Sequence, residues 1–174
     1  MVAYIAGAYG TIDGLVNNAS ITAQIAMDNL DDVTDEVWDS LFNVNVKGMF
    51  HCVKAVVPYM KKQTSGAIVN LGSVAGITGI GSSIPYAATK SAIHTMTKSL
   101  AIALAPYIRV NSIAPGAVDT RWWAGNEERM HQLAGKLPLQ RISTPDDIAG
   151  AVLFQLTQDS VTGQVFTVDN GQTL

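Results

Sequence analysis

The chain is poor in the residues that staple, anchor or steer a protein. It has one cysteine, Cys52, so no disulfide can close within it. Its three histidines, His51, His94 and His131, share no metal-ligand spacing, so no metal centre is expected. Charged residues make up only 14% of the 174, with a net charge of -3 and no Lys/Arg block. That excludes a general attraction to nucleic acid or to anionic membrane surfaces. No apolar run reaches the length of a bilayer. The first residues, Met1-Val2-Ala3-Tyr4-Ile5-Ala6, lack the basic and long apolar regions of a signal peptide. A reducing, cytoplasmic setting is the expectation.

What is present is a globular composition, 48% hydrophobic, on a chain long enough for one core. The elements alternate. Residues 1–9 read as the tail of a helix stopped by Gly10. Gly14-Leu15-Val16-Asn17 reads as a short buried strand. Thr34 caps a helix that opens on Asp35 and Glu36 and runs by apolar periodicity to about Lys62. Ala67 to Leu71 is apolar almost throughout, as in a strand covered on both faces. Gly72 to Ser83 is a Gly/Ser-rich loop. A long helix follows from Tyr86 to Ala105, then a strand from Ile108 to Ile113. A stretch near Asn126 to Lys136 is amphipathic. Thr144-Pro145-Asp146-Asp147 starts a further helix, and residues 164–169 form a last strand. This order predicts an α/β, Rossmann-like parallel sheet with helices on both faces and about four strands, in a single domain spanning 1–174.

Ligands of open parallel sheets bind outside the carboxyl ends of the strands. Three strand ends here carry polar or glycine-rich sequence: Asn17-Asn18-Ala19-Ser20, Gly72-Ser73 and Pro115-Gly116. The next helix opens on Tyr86-Ala87-Ala88-Thr89-Lys90. Four residues apart, Tyr86 and Lys90 share a helix face. A phenol titrates near 10, and a nearby ammonium favours its ionised form, so the pair is a tunable acid/base. The Ser73 hydroxyl can bond the oxygen that Tyr86 protonates. Alone, Tyr-x-x-x-Lys is no more than an amphipathic surface pair.

Its order with the other elements gives it weight. Asp13 to Ala19, Asn45-Val46-Lys47-Gly48, Gly72-Ser73, Tyr86 to Lys90, Arg109-Val110-Asn111, Pro115-Gly116 and Thr162-Gly163-Gln164 follow one another as in the short-chain dehydrogenase/reductase family. The sequence resembles that family over nearly its whole length, and most the branch like 3-oxoacyl-carrier-protein reductases. The resemblance implies an NAD- or NADP-dependent oxidoreductase acting on a small-molecule alcohol or ketone, and a homodimer or homotetramer. It implies Tyr86 as the acid/base and Ser73 as the group orienting the substrate oxygen. Lys90 would lower the Tyr86 pKa and hold the nicotinamide ribose. Asn45 would hold a relay water. Asn17, Asn18 and Ala19 would line the adenosine ribose; Pro115, Gly116, Val118 and Thr120 would flank the nicotinamide. Ser20 stands where the family usually has glycine.

The family's opening strand and T-G-x-x-x-G-x-G turn, which cradle the pyrophosphate, have no match before Gly14. Ala6-Gly7-Ala8-Tyr9-Gly10 is nearby but reads as a helix stop. The expectation is an N-terminally truncated fold that begins just before the usual fourth strand and exposes the edge of Gly14–Asn17. A reading of a different class is therefore a fragment that folds or oligomerises without cofactor. Helices 45–62 and 86–105 are expected to pair across a two-fold axis, with Ala87, Ala88, Ser91, Ala92 and Ala101 allowing close approach. Cys52 reads as a structural thiol, and Met27, Met96 and Met130 as core or lid fillers. Trp122-Trp123 reads equally as substrate lid or as surface loop.

Overall fold

The structure, a computed structural model, describes residues 1–125 and 127–174. Helix α1 (Val2–Tyr9) ends on Gly10, whose φ of 78° needs glycine and whose N–H returns to the Ala6 carbonyl. Ala6-Gly7-Ala8-Tyr9-Gly10 is thus a helix end, as its pattern predicts. Strand β1 (Gly14–Asn17) follows. Helix α2 (Asp35–Phe42) is capped by Thr34, whose Oγ1 accepts from the Val37 N–H. A π-helical turn, Asn43–Gly48, joins it to α3 (Met49–Lys62). The expected unbroken helix is therefore interrupted around Asn45. Then come β2 (Gly66–Leu71), the short helix α4 (Ala75–Thr78) and the long helix α5 (Ile84–Leu104). Strand β3 (Ile108–Pro115) leads through a 3-10 turn, Arg121–Trp123, to α6 (Glu127–Ala134). Asn126, where the amphipathic stretch was expected to open, lies outside the described residues. Helix α7 (Pro145–Thr157) starts in the predicted capping box of Thr144 and Asp147, and β4 (Val165–Val168) ends the sheet.

The four strands are parallel in the order β1-β2-β3-β4. The alternation of side chains splits the core into two layers. Ile68 of β2 and Ile108 and Val110 of β3 pack with Val53, Val56 and Met60 of α3 and Ala101 and Leu104 of α5. Val69 of β2 and Ile113 of β3 face the other way, onto Ile148 and its neighbours on α7. Helices therefore cover both faces, and the fold is the Rossmann-like sheet that the sequence predicts. Strand β1 pairs only with β2 among the described residues, and Val16 is 42% exposed. Among the described residues no helix is long and apolar enough to cross a membrane.

Two of the resemblance motifs prove to be fasteners. The Arg109 guanidinium donates to the Gln155 and Leu156 carbonyls, both at 2.7 Å, and so caps the end of α7. The Asn111 amide donates to the Val161 carbonyl at 2.8 Å and accepts from the Gln164 N–H at 3.0 Å. Thr162 Oγ1 accepts from the Val110 N–H at 3.1 Å. Arg109-Val110-Asn111 and Thr162-Gly163-Gln164 thereby lock β3 to the chain entering β4.

Of the five small residues expected at a two-fold helix pairing, Ala87 and Ala101 are buried within the chain's own body. Ala101 packs in the layer around Ile68 and Val110, which α5 covers. Ala88, Ser91 and Ala92 remain nearer the surface.

Candidate active site

The site is assembled at the carboxyl ends of β1, β2 and β3. Ser83 caps α5, and its hydroxyl accepts from the Tyr86 N–H at 3.3 Å. This places Tyr86 in the first helical turn, where the helix dipole favours negative charge. Lys90 lies one turn further and is 2% exposed. Its Nζ donates to the Leu71 carbonyl at the end of β2, at 3.0 Å, and lies 5.5 Å from the centroid of the Tyr86 ring. Ser73, two residues beyond β2, turns α4: its Oγ accepts from the Ala75 N–H at 3.1 Å. Gly76 is required there, since a Cβ would stand 2.6 Å from the Lys90 backbone.

Burial governs the charges. The Lys90 ammonium is pushed down from 10.5 to about 8 because it is taken out of water. The Tyr86 phenol is pushed up, chiefly by burial, and interaction with the Ser73 side chain opposes that shift. The expected lowering of the phenol by Lys90 is not what dominates. The ammonium lies against the ring and is held at Leu71.

The other expected residues fall as follows. Asn45 is 1% exposed inside the π-helical turn. Its side-chain amide accepts from the Ile21 N–H at 2.8 Å and donates to the Ile21 carbonyl at 2.9 Å and to Thr89 Oγ1 at 3.2 Å. It ties the segment after β1 to α5. The Asn17 amide is committed to Asn70 Oδ1 at 2.9 Å, and Asn70 in turn donates to Thr97 Oγ1 at 3.0 Å. Asn18 and Ala19 are exposed just beyond. Gly116 fits closely against the C-terminal turn, where a Cβ would lie 2.6 Å from Gln172 Oε1. Val118 bridges to Ser143, and Thr120 caps the 3-10 turn through Trp122 N–H at 3.3 Å. Cys52 is half-buried and free, and Met130 is buried.

Two further neighbours adjoin the pair, the first unexpected and the second weighed from sequence as lid or surface loop. His94, one turn beyond Lys90, is 8% exposed, and its Nε2 has no partner among the described residues. It packs on Gly72, where a Cβ would lie 2.2 Å from that nitrogen. Burial, then the charges of Lys90 and Lys98, push His94 down to about 4. The continued four-residue spacing Tyr86-Lys90-His94 was the available signal. Trp122 is the second: its ring centroid is 5.8 Å from that of Tyr86, with the planes at 47°. Among the described residues no cluster of potential metal ligands occurs.

A family model described as enoyl-(acyl carrier protein) reductase matches residues 1–173. The chain belongs to the short-chain dehydrogenase/reductase family. A short-chain dehydrogenase/reductase homolog from Bacillus subtilis, YusR, is 62% identical over 129 residues, which is 74% of this chain and all of that protein. The 3-oxoacyl-[acyl-carrier-protein] reductase FabG of Thermotoga maritima is 42% identical over 94% of this chain and 67% of its own length. The crystal structure of a gluconate 5-dehydrogenase from Burkholderia cenocepacia, in complex with NADP and tartrate, superposes with a TM-score of 0.89 at 32% identity. The match covers 99% of this chain and 69% of that one. This short-chain dehydrogenase/reductase thus shares the family's parallel sheet over about two thirds of the length of those last two relatives.

Proposed function

We propose that this short-chain dehydrogenase/reductase interconverts an alcohol and a ketone with NAD or NADP, 3-oxoacyl thioesters being one substrate class within reach. The observation that carries the reading is the Lys90 ammonium, buried and set against the Tyr86 ring with Ser73 beside the phenol. Tyr86 gives its proton to the substrate oxygen in reduction and takes it back in oxidation. Ser73 Oγ donates to the same oxygen and steadies its developing charge. Asn45 holds the segment after β1 in place over α5.

The residues present fit a nicotinamide cofactor at Lys90. An ammonium carries three donors, and Leu71 is the one protein acceptor it meets among the described residues. The remaining N–H groups suit the hydroxyls of a ribose. The bound cofactor would supply the hydride. Asn18 and Ala19 would border its adenosine side, and Pro115, Gly116, Val118 and Thr120 its nicotinamide side. The structural relative that is complexed with NADP supports the same choice of cofactor class.

A second reading has its own support. Gly7 and Gly10 lie in α1 and its cap, so they build no phosphate cradle after a strand. That favours a chain that folds or assembles without cofactor. Calorimetric titration of the chain with NADH and NADPH decides between the two. Saturable binding of either supports the first reading; neither binding at millimolar concentration supports the second. In a chain that turns over, Tyr86→Phe should abolish turnover and keep cofactor binding; retained turnover would refute the role of Tyr86. A homodimer through the surface of α5 around Ala88, Ser91 and Ala92 is part of the proposal, and sedimentation as a folded monomer would remove it.

A further inference from the structure

We propose that Trp122 is a substrate-contacting, specificity-determining residue that selects ketones and secondary alcohols bearing a flat apolar group beside the reacting carbon. The inference rests on the reading of Tyr86 as the proton donor. The Tyr86 ring is enclosed on three sides. A Cβ at Gly81 would stand 3.1 Å from its Cδ1, so the backbone closes one edge. Lys90 lies against the ring, and the Trp122 indole lies 5.8 Å away. A substrate that brings its oxygen to the phenol passes the indole.

The two adjacent tryptophans have different jobs. The Trp123 Nε1–H donates to the Val118 carbonyl at 3.1 Å, and its backbone N–H donates to the Thr120 carbonyl at 3.1 Å. Trp123 is the anchor. Thr120 Oγ1 accepts from the Trp122 N–H, which fixes the turn, and the Trp122 side chain is left 45% exposed beside Tyr86. A large ring held next to a reacting centre with nearly half its surface uncovered is a platform for a flat ligand group.

The segment before α5 carries no charge either. The stretch from Gly72 to Pro85 contains no charged residue, and its Ile77 and Ile80 are 52% and 72% exposed. The indole face offers no partner to a polyhydroxylated substrate, whose hydroxyls would lose water against it without replacement. The expected preference is therefore for aryl or short alkyl ketones over hydroxylated ones.

The test uses the full chain with 15N-labelled tryptophan, with and without NADPH. The three indole N–H signals are assigned with Trp122→Phe and Trp123→Phe. Acetophenone should move the Trp122 signal saturably, and hydroxyacetone should bind at least about tenfold more weakly, the scale of one aromatic contact plus its buried area. By ligand-observed saturation transfer, Trp122→Ala should weaken acetophenone about tenfold, while Trp122→Phe keeps most of the affinity. Equal affinity for the two ketones would overturn the proposal. So would tighter binding to Trp122→Ala, or acetophenone that leaves the Trp122 signal unmoved. The cofactor reading fails separately. Binding of neither NADH nor NADPH, together with a moving Trp122 signal, would sink the oxidoreductase assignment and leave this subsite standing.

Discussion

Replacing Lys90 by methionine should make the protein more stable at neutral pH while removing the group its chemistry needs. Methionine keeps the length and bulk of the stem without the charge. The ammonium is pushed from 10.5 to about 8 by burial. A drop of that size means that holding the charged form in the fold costs about 3 kcal/mol at pH 7. The substitution also gives up the hydrogen bond to the Leu71 carbonyl, worth about 1 kcal/mol net. The balance favours Lys90→Met by about 2 kcal/mol at pH 7.

The sign with pH follows from proton counting. Between pH 8 and 10.5 the unfolded chain keeps the lysine proton and the folded chain has lost it, so wild-type stability rises with pH across that window. By pH 9.5 the wild type should have recovered about 2 kcal/mol, and the two proteins should unfold together. Working above pH 10 would confuse the result, because Tyr86 is raised and its folded form then holds the extra proton. The assay is urea unfolding of both proteins at pH 7.0, 8.5 and 9.5, at matched concentration and salt. A Lys90→Met that is less stable at pH 7, or a gap that does not narrow with pH, would refute the claim that burial dominates this lysine.

The acid side should be set by His94: its pKa is lowered to about 4, so stability present above pH 6.5 is lost as pH falls towards 4, and the His94 ring signals should titrate near 4 by NMR. In Lys90→Met that titration should move up, since the lysine charge helps to depress it. Gly72→Ala should cost roughly 1–3 kcal/mol by overpacking on His94, and the loss should shrink in the His94→Ala background; denaturation of the four proteins of that cycle checks it. Thr144→Ala removes the acceptor for the Asp147 N–H, bonded at 3.2 Å, and should cost about 1 kcal/mol by thermal unfolding with the site unaffected.

How much of this was legible depended on whether one residue or a meeting of residues carried the information. The α7 start was readable because Thr144, Pro145 and Asp147 each satisfy a local demand of a helix end. The parallel sheet was readable because Ile68 with Val69, and Val110 with Ile113, put apolar side chains on both faces. The break at Asn45 was not, because Asn43 to Gly48 keeps an apolar rhythm close enough to a helix. Its cause is tertiary: the Asn45 amide reaches Ile21. Helix α4 was hidden for a related reason. Gly76 and Gly79 read as loop, yet Gly76 is needed for α4 to pass within contact of the Lys90 backbone. The Tyr86–Lys90 pair was found by spacing, but its electrostatic balance was not, because burial is a property of the assembled fold.

That balance supports the proposal that the stripe Tyr86-Lys90-His94 serves a site and is not an ordinary piece of core. A core optimised for stability would not hold an ammonium at 2% exposure on a single carbonyl, nor an imidazole nitrogen with no partner one turn away, as found among the described residues. Each costs free energy in the empty protein. Tyr86 and Lys90 are both pushed towards their neutral forms, the first upwards and the second downwards. The ligand-free pair is thus an un-ionised phenol beside a lysine charged reluctantly at neutral pH. Oxygen acceptors placed at the remaining N–H groups of Lys90 would raise its pKa again and offset part of the cost of holding its charge in the fold.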